Sequence, residues 1–181
     1  HIAGDAVAHQ LQHRQQVAAG GGGVLQRQGV PDVVVANAGI SIGMDTAVRS
    51  DLEVMARTFA TNNLGLAATF HPFVQAMVQR GSGKLVGIGS VAGIRGLPGH
   101  GAYCASKAAV INLAKTFSVD LLEKGIRVNV VSPGPAKTAR FQQTRTVDPQ
   151  KMNSNKASFD DFAPFCVLQA TENLQTVFSG S

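Results

Sequence analysis

The sequence predicts an α/β fold built on a parallel β-sheet, because short apolar strands alternate with long helical segments. The strands are predicted over 30–36, 84–90 and 126–131, and each is rich in β-branched residues and followed by turn residues. The segments between them are long enough to form helical crossovers, which are right-handed and leave neighbouring strands parallel. In such a sheet, ligands bind beyond the carboxyl ends of the strands.

Two long helices are predicted over 51–79 and 102–124, ended by glycines at Gly81 and Gly125. A further helix near 5–19 is predicted to end at the glycine run 20–23, which we interpret as a flexible connector. A phosphate-binding glycine loop has to follow a buried strand, whereas this run follows helical sequence. In the first long helix, apolar residues recur at helical spacing: Leu52, Met55, Phe59, Leu66, Phe70, Phe73 and Met77.

Composition indicates one globular domain and argues against several other classes of protein. The chain has 181 residues, 44% hydrophobic and 15% charged, without an apolar run of the roughly 18 to 20 residues that a membrane span needs. Two cysteines form no disulfide framework, which suits a cytoplasmic location. The net charge of +5 is spread along the chain, so no nucleic-acid site is expected, and the five histidines show no metal-ligand spacing.

The spacing of Tyr103 and Lys107 carries the strongest chemical signal. Residues four apart on a helix share a face, so the phenol and the ammonium become neighbours. An ammonium favours the phenolate form of a tyrosine, which then serves as a proton donor or acceptor. Ser90 is predicted at the carboxyl end of the strand over 84–90, where its hydroxyl could hold a substrate oxygen.

Several short motifs occur together in one order along the chain. They are ANAG at 36–39, N-x-x-G at 62–65, GSVAG at 89–93, YCASK at 103–107 and PG at 133–134. Over about 30–140 the chain therefore resembles the classical short-chain dehydrogenase/reductase (SDR) family. The resemblance implies a doubly wound, Rossmann-type parallel sheet, NAD or NADP as cofactor, and hydride transfer between the nicotinamide and an alcohol or carbonyl substrate.

The same resemblance implies a role for each residue that matches a family motif. Tyr103 would be the general acid/base, Lys107 would assist it and hold the nicotinamide ribose, and Ser90 would orient the substrate oxygen. Asn62 would support the lysine through a water. The cofactor-binding residues would be Tyr103 and Lys107 themselves, Asn37, Ala38 and Gly39 on the adenosine side, and Pro133, Gly134 and Thr138 beside the nicotinamide.

The two ends of the chain depart from the family pattern. Residues 1–29 lack the G-x-x-x-G-x-G turn that receives the cofactor pyrophosphate, so the domain over 1–140 is expected to be partial and N-terminally truncated. Preference between NAD and NADP and a contact from Asp5 to adenine are left open. Residues 141–181 form a divergent segment without a clear strand. This segment either covers the substrate or does not belong to a working fold, so the sequence does not identify the substrate.

Two functional hypotheses remain open at this point. The chain is an NAD(P)-dependent oxidoreductase of alcohols or carbonyls, or it is a catalytically silent fragment that acts at most as an oligomerisation module. Under either hypothesis, the resemblance implies that the helices over 51–79 and 102–124 form the interface of a homodimer or homotetramer.

Overall fold

The computed structural model describes residues 19–43, 52–134 and 167–169. A five-residue π turn, Ala60–Leu64, joins two of the helices, and 3₁₀ turns cover Val91–Gly93 and Leu122–Lys124. In chain order the elements are α1 (19–28), β1 (Val33–Ala36), α2 (Leu52–Phe59), α3 (Gly65–Arg80), β2 (Gly83–Ile88), α4 (Gly101–Leu121), β3 (Ile126–Ser132) and β4 (Val167–Gln169).

The strands form one sheet in the order β1-β2-β3-β4. The first three strands are parallel, as predicted, and their register places Leu85 beside Val34 on one side and Val128 on the other. β4 runs antiparallel to β3. The expectation that 141–181 contains no strand is therefore wrong, because the three residues of β4 are too few for a periodic pattern to reveal them.

The helices α3 and α4 pack against one face of the sheet. The crossovers from β1 to β2 and from β2 to β3 both lead to the next strand in the same direction across the sheet. Because both crossovers are right-handed, their helices lie on the same face. A doubly wound sheet has helices on both faces, and in the described part of the chain the second face is open, with Val33 46% and Val35 51% exposed. The core on the covered face consists of Val34, Ala36, Leu66, Phe70, Phe73, Met77, Leu85, Val110, Ile111, Ala114, Leu121, Ile126, Val128 and Val130.

Both long helices form where the sequence predicts them, and both end at left-handed glycines. α2, the π turn and α3 run without a break from Leu52 to Arg80, and Gly81 has a φ of 72°. After α4 and its 3₁₀ turn, Gly125 has a φ of 75°. A Cβ on Gly125 would collide with the carbonyl of Gly81, so the two helix ends pack directly on each other. The strands β2 and β3 consequently start side by side.

The glycine run 20–23 lies inside α1, so its interpretation as a flexible connector is wrong. Glycine has a low helix propensity, which is why the sequence alone did not indicate a helix there. Packing provides the reason: Gly21 is buried, and a Cβ on it would lie 2.7 Å from both Cβ and Cγ of Pro72 in α3. The missing side chain lets α1 and α3 approach closely. Of the helix predicted near 5–19, all but the last residue lies outside the described residues.

Alanine substitutions in this run are expected to have opposite effects at neighbouring positions. Gly21→Ala should lower the free energy of unfolding by about 1–3 kcal/mol, because the new methyl group overlaps Pro72. Gly22 has nothing within 4 Å of an added Cβ, so Gly22→Ala should raise the free energy by about 0.5–1 kcal/mol. Urea unfolding followed by circular dichroism measures both. Equal stability of the two variants would contradict the packing of α1 on α3.

Candidate active site

The carboxyl ends of β1, β2 and β3 border a cavity of about 320 Å³. Its position at the strand ends is where open α/β sheets bind ligands. The structure brings together in this cavity many of the residues that the sequence singled out. The lining comprises Asn37, Gly39, Ile40, Ser41, Ile88, Gly89, Ser90, Tyr103, Lys107, Pro133 and Gly134.

Lys107 is a buried cation, with only 5% of its surface exposed. Its Nζ donates a 2.7 Å hydrogen bond to the carbonyl of Ile88 at the end of β2 and lies 5.8 Å from the centroid of the Tyr103 ring. Burial lowers the pKa of Lys107. Among the described residues, the carbonyl of Ile88 is the acceptor to which Nζ donates. The other two hydrogens of the ammonium therefore remain available to a ligand in the cavity.

Tyr103 lies in the first turn of α4, one turn before Lys107, and its half-buried ring lines the cavity. The predicted helical spacing thus places both side chains in one cavity. Cys104, the next residue along the helix, accepts a 3.3 Å hydrogen bond from the amide of Leu97.

Ser90 lies two residues after the end of β2 and has an extended backbone, with φ −170° and ψ 155°. Its Oγ accepts a 3.1 Å hydrogen bond from the amide of Ala92, which leaves the hydroxyl hydrogen for an acceptor in the cavity. Gly93 closes the same 3₁₀ turn. A Cβ on Gly93 would lie 2.7 Å from the carbonyl carbon of Lys107, so the turn rests directly on the backbone of α4.

Asn62 occupies the π turn and is 2% exposed. Its Oδ1 accepts a hydrogen bond from the amide of Ile40 at 2.8 Å, and its Nδ2 donates to the carbonyl of Ile40 at 3.0 Å and to Oγ of Ser106 at 2.8 Å. The side chain therefore holds the loop that follows β1. The predicted support of Lys107 through a water stays a prediction.

Ser106 belongs to this site although the sequence interpretation assigned it no role. It has no exposed surface, and besides accepting from Asn62 its Oγ donates a 2.8 Å hydrogen bond to the carbonyl of Tyr103. Nδ2 of Asn63 donates to the carbonyl of Ser106 at 2.9 Å. The one available signal was a small polar residue directly before Lys107, in a helix whose neighbouring positions are mostly apolar.

The remaining sequence candidates lie apart from the cavity or outside the described residues. Ala38 is exposed and does not line the cavity. Thr138 and Asp5 lie outside the described residues. In the part of the chain that the structure describes, no three His, Cys, Asp or Glu residues cluster as a metal site, and no helix is long and apolar enough to cross a membrane.

The burial of Lys107 predicts a pH dependence of stability. Because burial lowers the pKa of Lys107 from 10.5, the unfolded chain binds more protons than the folded chain in the pH range just below 10.5. Relative to Lys107→Met, the wild type should gain stability as the pH rises through that range, by at most about 1.4 kcal/mol per pH unit.

Urea unfolding between pH 7 and pH 10 measures this difference, with Lys115→Met as the matched loss of an exposed lysine from the same helix. A stability difference between wild type and Lys107→Met that stays constant with pH would contradict the burial of the ammonium.

Comparison with known proteins agrees with this architecture. The family model described as short chain dehydrogenase matches residues 4–148. An uncharacterized oxidoreductase of Myxococcus xanthus (strain DK1622) is 44% identical over 107 residues, which are 59% of this chain and 42% of that protein. The inactive 2-(S)-hydroxypropyl-CoM dehydrogenase 2 of Xanthobacter autotrophicus (strain ATCC BAA-1158 / Py2) is 39% identical over 101 residues, or 56% of this chain and 44% of the relative.

The solved structure of ElxO with NADP bound superposes with a TM-score of 0.69 at 32% identity, covering 72% of this chain and 52% of that one. The chain thus spans about half the length of the proteins it matches. The parallel sheet agrees with this Rossmann-type fold. Because the family model matches well over half of the chain, the predicted resemblance is confirmed, and the chain belongs to the short-chain dehydrogenase family.

Proposed function

We propose that the chain is the catalytic part of an NAD(P)-dependent oxidoreductase that moves a hydride between a nicotinamide cofactor and an alcohol or carbonyl substrate. The observation that carries the proposal is the buried ammonium of Lys107 beside Tyr103 in a cavity at the strand ends. Uncompensated burial of a cation is costly, so a lysine kept in this position is better explained by a ligand than by stability.

The residues that are present fit a nicotinamide dinucleotide. Lys107 has ammonium hydrogens left over for the hydroxyls of a ribose, since Ile88 takes one of them. Gly39 has its Cα beside the same amine, and a Cβ there would lie 3.3 Å from Nζ of Lys107. The glycine therefore keeps open the space into which the amine points, and the loop backbone can approach a ligand closely.

A nicotinamide dinucleotide supplies, when bound, a carbon that donates or accepts hydride. Tyr103 would take the hydroxyl proton of an alcohol during oxidation and return a proton to the carbonyl oxygen during reduction. The ammonium of Lys107 would stabilise the phenolate, which is the form that accepts the proton in oxidation and the form that remains after proton donation in reduction. Ser90 would donate its hydroxyl hydrogen to the same substrate oxygen, which holds that oxygen at the phenol.

The other predicted contacts complete the proposed site. Asn62 would support Lys107 through a water, and its hydrogen bonds to Ile40 hold the loop after β1 beside the amine. The family resemblance suggests that Asn37, Ala38 and Gly39 would lie along the adenosine side of the cofactor, and that Pro133, Gly134 and Thr138 would lie next to the nicotinamide. Of these residues, Asn37, Gly39, Pro133 and Gly134 line the cavity. We further propose a cytoplasmic homodimer or homotetramer, with α2, α3 and α4 at the interface.

A second candidate is a catalytically silent fragment. In the described part of the chain β1 pairs only with β2, so its other edge has no partner strand there, and Val33 and Val35 on the open face are half exposed. A relative that matches 56% of the chain is itself named inactive. This candidate differs from the first in one measurable property, the binding of the nucleotide.

Titration of the 181-residue chain with NADH and NADPH separates the two candidates. Nicotinamide fluorescence and thermal shift should both saturate with at least one nucleotide, because Lys107, the loop after β1 with Gly39 and the strand ends line the cavity. Lys107→Ala should weaken the binding, whereas Lys115→Ala on the surface of the same helix should leave it unchanged. A folded wild-type chain that binds neither nucleotide would favour the silent fragment.

Tyr103→Phe tests the proton transfer separately from binding. Loss of the hydroxyl should lower turnover of a panel of small ketones and aldehydes by about 10²–10⁴-fold, the usual contribution of a general acid. Folding should stay close to that of the wild type, and saturating nucleotide removes any effect on nucleotide binding from the comparison of turnover. Thr116→Val, which removes an exposed hydroxyl from the same helix, is the matched control. Turnover that survives Tyr103→Phe would contradict the assigned role.

A further inference from the structure

We infer that Ser106 is a positioning residue that fixes the turn carrying Tyr103 relative to the loop after β1. A chain of hydrogen bonds connects the two parts of the cavity. It starts at the backbone of Ile40, passes through the side chains of Asn62 and Ser106, and ends at the carbonyl of Tyr103, with donor–acceptor distances of 2.8–3.0 Å. The inference rests on the proposed function, because it assigns Ser106 to that same site.

The direction of every hydrogen bond in this chain is determined. The amide of Ile40 can only donate, so the atom of Asn62 that faces it is Oδ1. Nδ2 of Asn62 then uses its two hydrogens on the carbonyl of Ile40 and on Oγ of Ser106. Oγ of Ser106 is therefore an acceptor from Asn62, and its own hydrogen goes to the carbonyl of Tyr103. Only a residue that both accepts and donates through one atom fits this position.

The π turn explains why two consecutive asparagines reach the same serine. Asn62 contacts Oγ of Ser106, and Asn63 contacts its carbonyl oxygen at 2.9 Å. Adjacent residues of a regular α-helix point about 100° apart, and the wider π turn brings both amides toward α4. Ser106 is thus held at its side chain and at its backbone.

Burial makes this arrangement sensitive to the loss of one hydroxyl. Ser106 has no exposed surface and Asn62 is 2% exposed, so water does not reach them to replace a lost partner. Ser106→Ala leaves one hydrogen of Nδ2 of Asn62 without an acceptor in the protein. The side chain of Asn62 would then turn or shift, and the loop with Gly39 and the turn with Tyr103 would lose their common anchor.

Tyr103 provides a direct optical test, because it is the single tyrosine in a chain without tryptophan. Tyrosine fluorescence anisotropy of the nucleotide-free chain therefore reports the mobility of this ring alone. We expect lower anisotropy in Ser106→Ala than in the wild type, and about tenfold weaker binding of NADH or NADPH, which corresponds to about 1.4 kcal/mol.

Ser118→Ala is the matched control, since it removes a buried serine hydroxyl from the same helix about 18 Å further along. It should keep wild-type anisotropy and affinity. Wild-type anisotropy or wild-type affinity in Ser106→Ala would overturn the inference, and so would an equal loss in Ser118→Ala.

Two further cases keep the positioning role of Ser106 testable, even if the proposed function fails or the alanine variant does not fold. If the wild type itself binds neither nucleotide, the proposed function fails, and the anisotropy of Ser106→Ala alone decides the positioning role. If Ser106→Ala does not fold, Ser106→Cys takes its place, because a thiol of similar size is only a weak donor and a weak acceptor and therefore weakens both hydrogen bonds of Oγ. Reduced anisotropy in a folded Ser106→Cys chain would then support the role, and wild-type anisotropy would overturn it.

Discussion

The ammonium of Lys107 is the feature around which the site is arranged. A cation with 5% of its surface exposed loses most of its hydration, and one carbonyl, that of Ile88, replaces only part of it. That carbonyl lies at the carboxyl end of β2, so the position of the amine depends on the sheet. The lowered pKa of Lys107 is the electrostatic consequence of the same burial.

Close backbone contacts keep the parts of the site in place around this amine. Gly93 brings the turn after Ser90 against the backbone of α4 at Lys107, and Gly39 brings the loop after β1 to the amine itself. The contact at Gly93 leaves no room for a side chain, whereas a Cβ on Gly39 would lie 3.3 Å from Nζ of Lys107, so the amine would have to shift slightly. Gly21 has the same function farther away, where it lets α1 pack on α3. Gly21, Gly39 and Gly93 therefore act through close approach, whereas Gly81 and Gly125 have a left-handed backbone.

The sequence predicted the parts of the fold that depend on local patterns. Hydrophobic periodicity located both long helices and the three parallel strands, and helical spacing brought Tyr103 and Lys107 together. Glycine propensity suggested a connector at 20–23, where tertiary packing instead stabilises a helix. Ser106 was missed because its partners, Asn62 and Asn63, lie more than 40 residues away, and no local pattern indicates such hydrogen bonds.

The proposed function requires that a nucleotide occupy the cavity beside Tyr103. Nuclear magnetic resonance of chain labelled only at tyrosine gives one ring to observe, because Tyr103 has no other tyrosine to overlap it. On addition of NADPH or NADH, we expect the ring signals to shift and to show nuclear Overhauser effects to ribose or nicotinamide protons. Tyrosine signals that do not respond to saturating nucleotide would contradict the placement of the cofactor, and with it the proposed reaction.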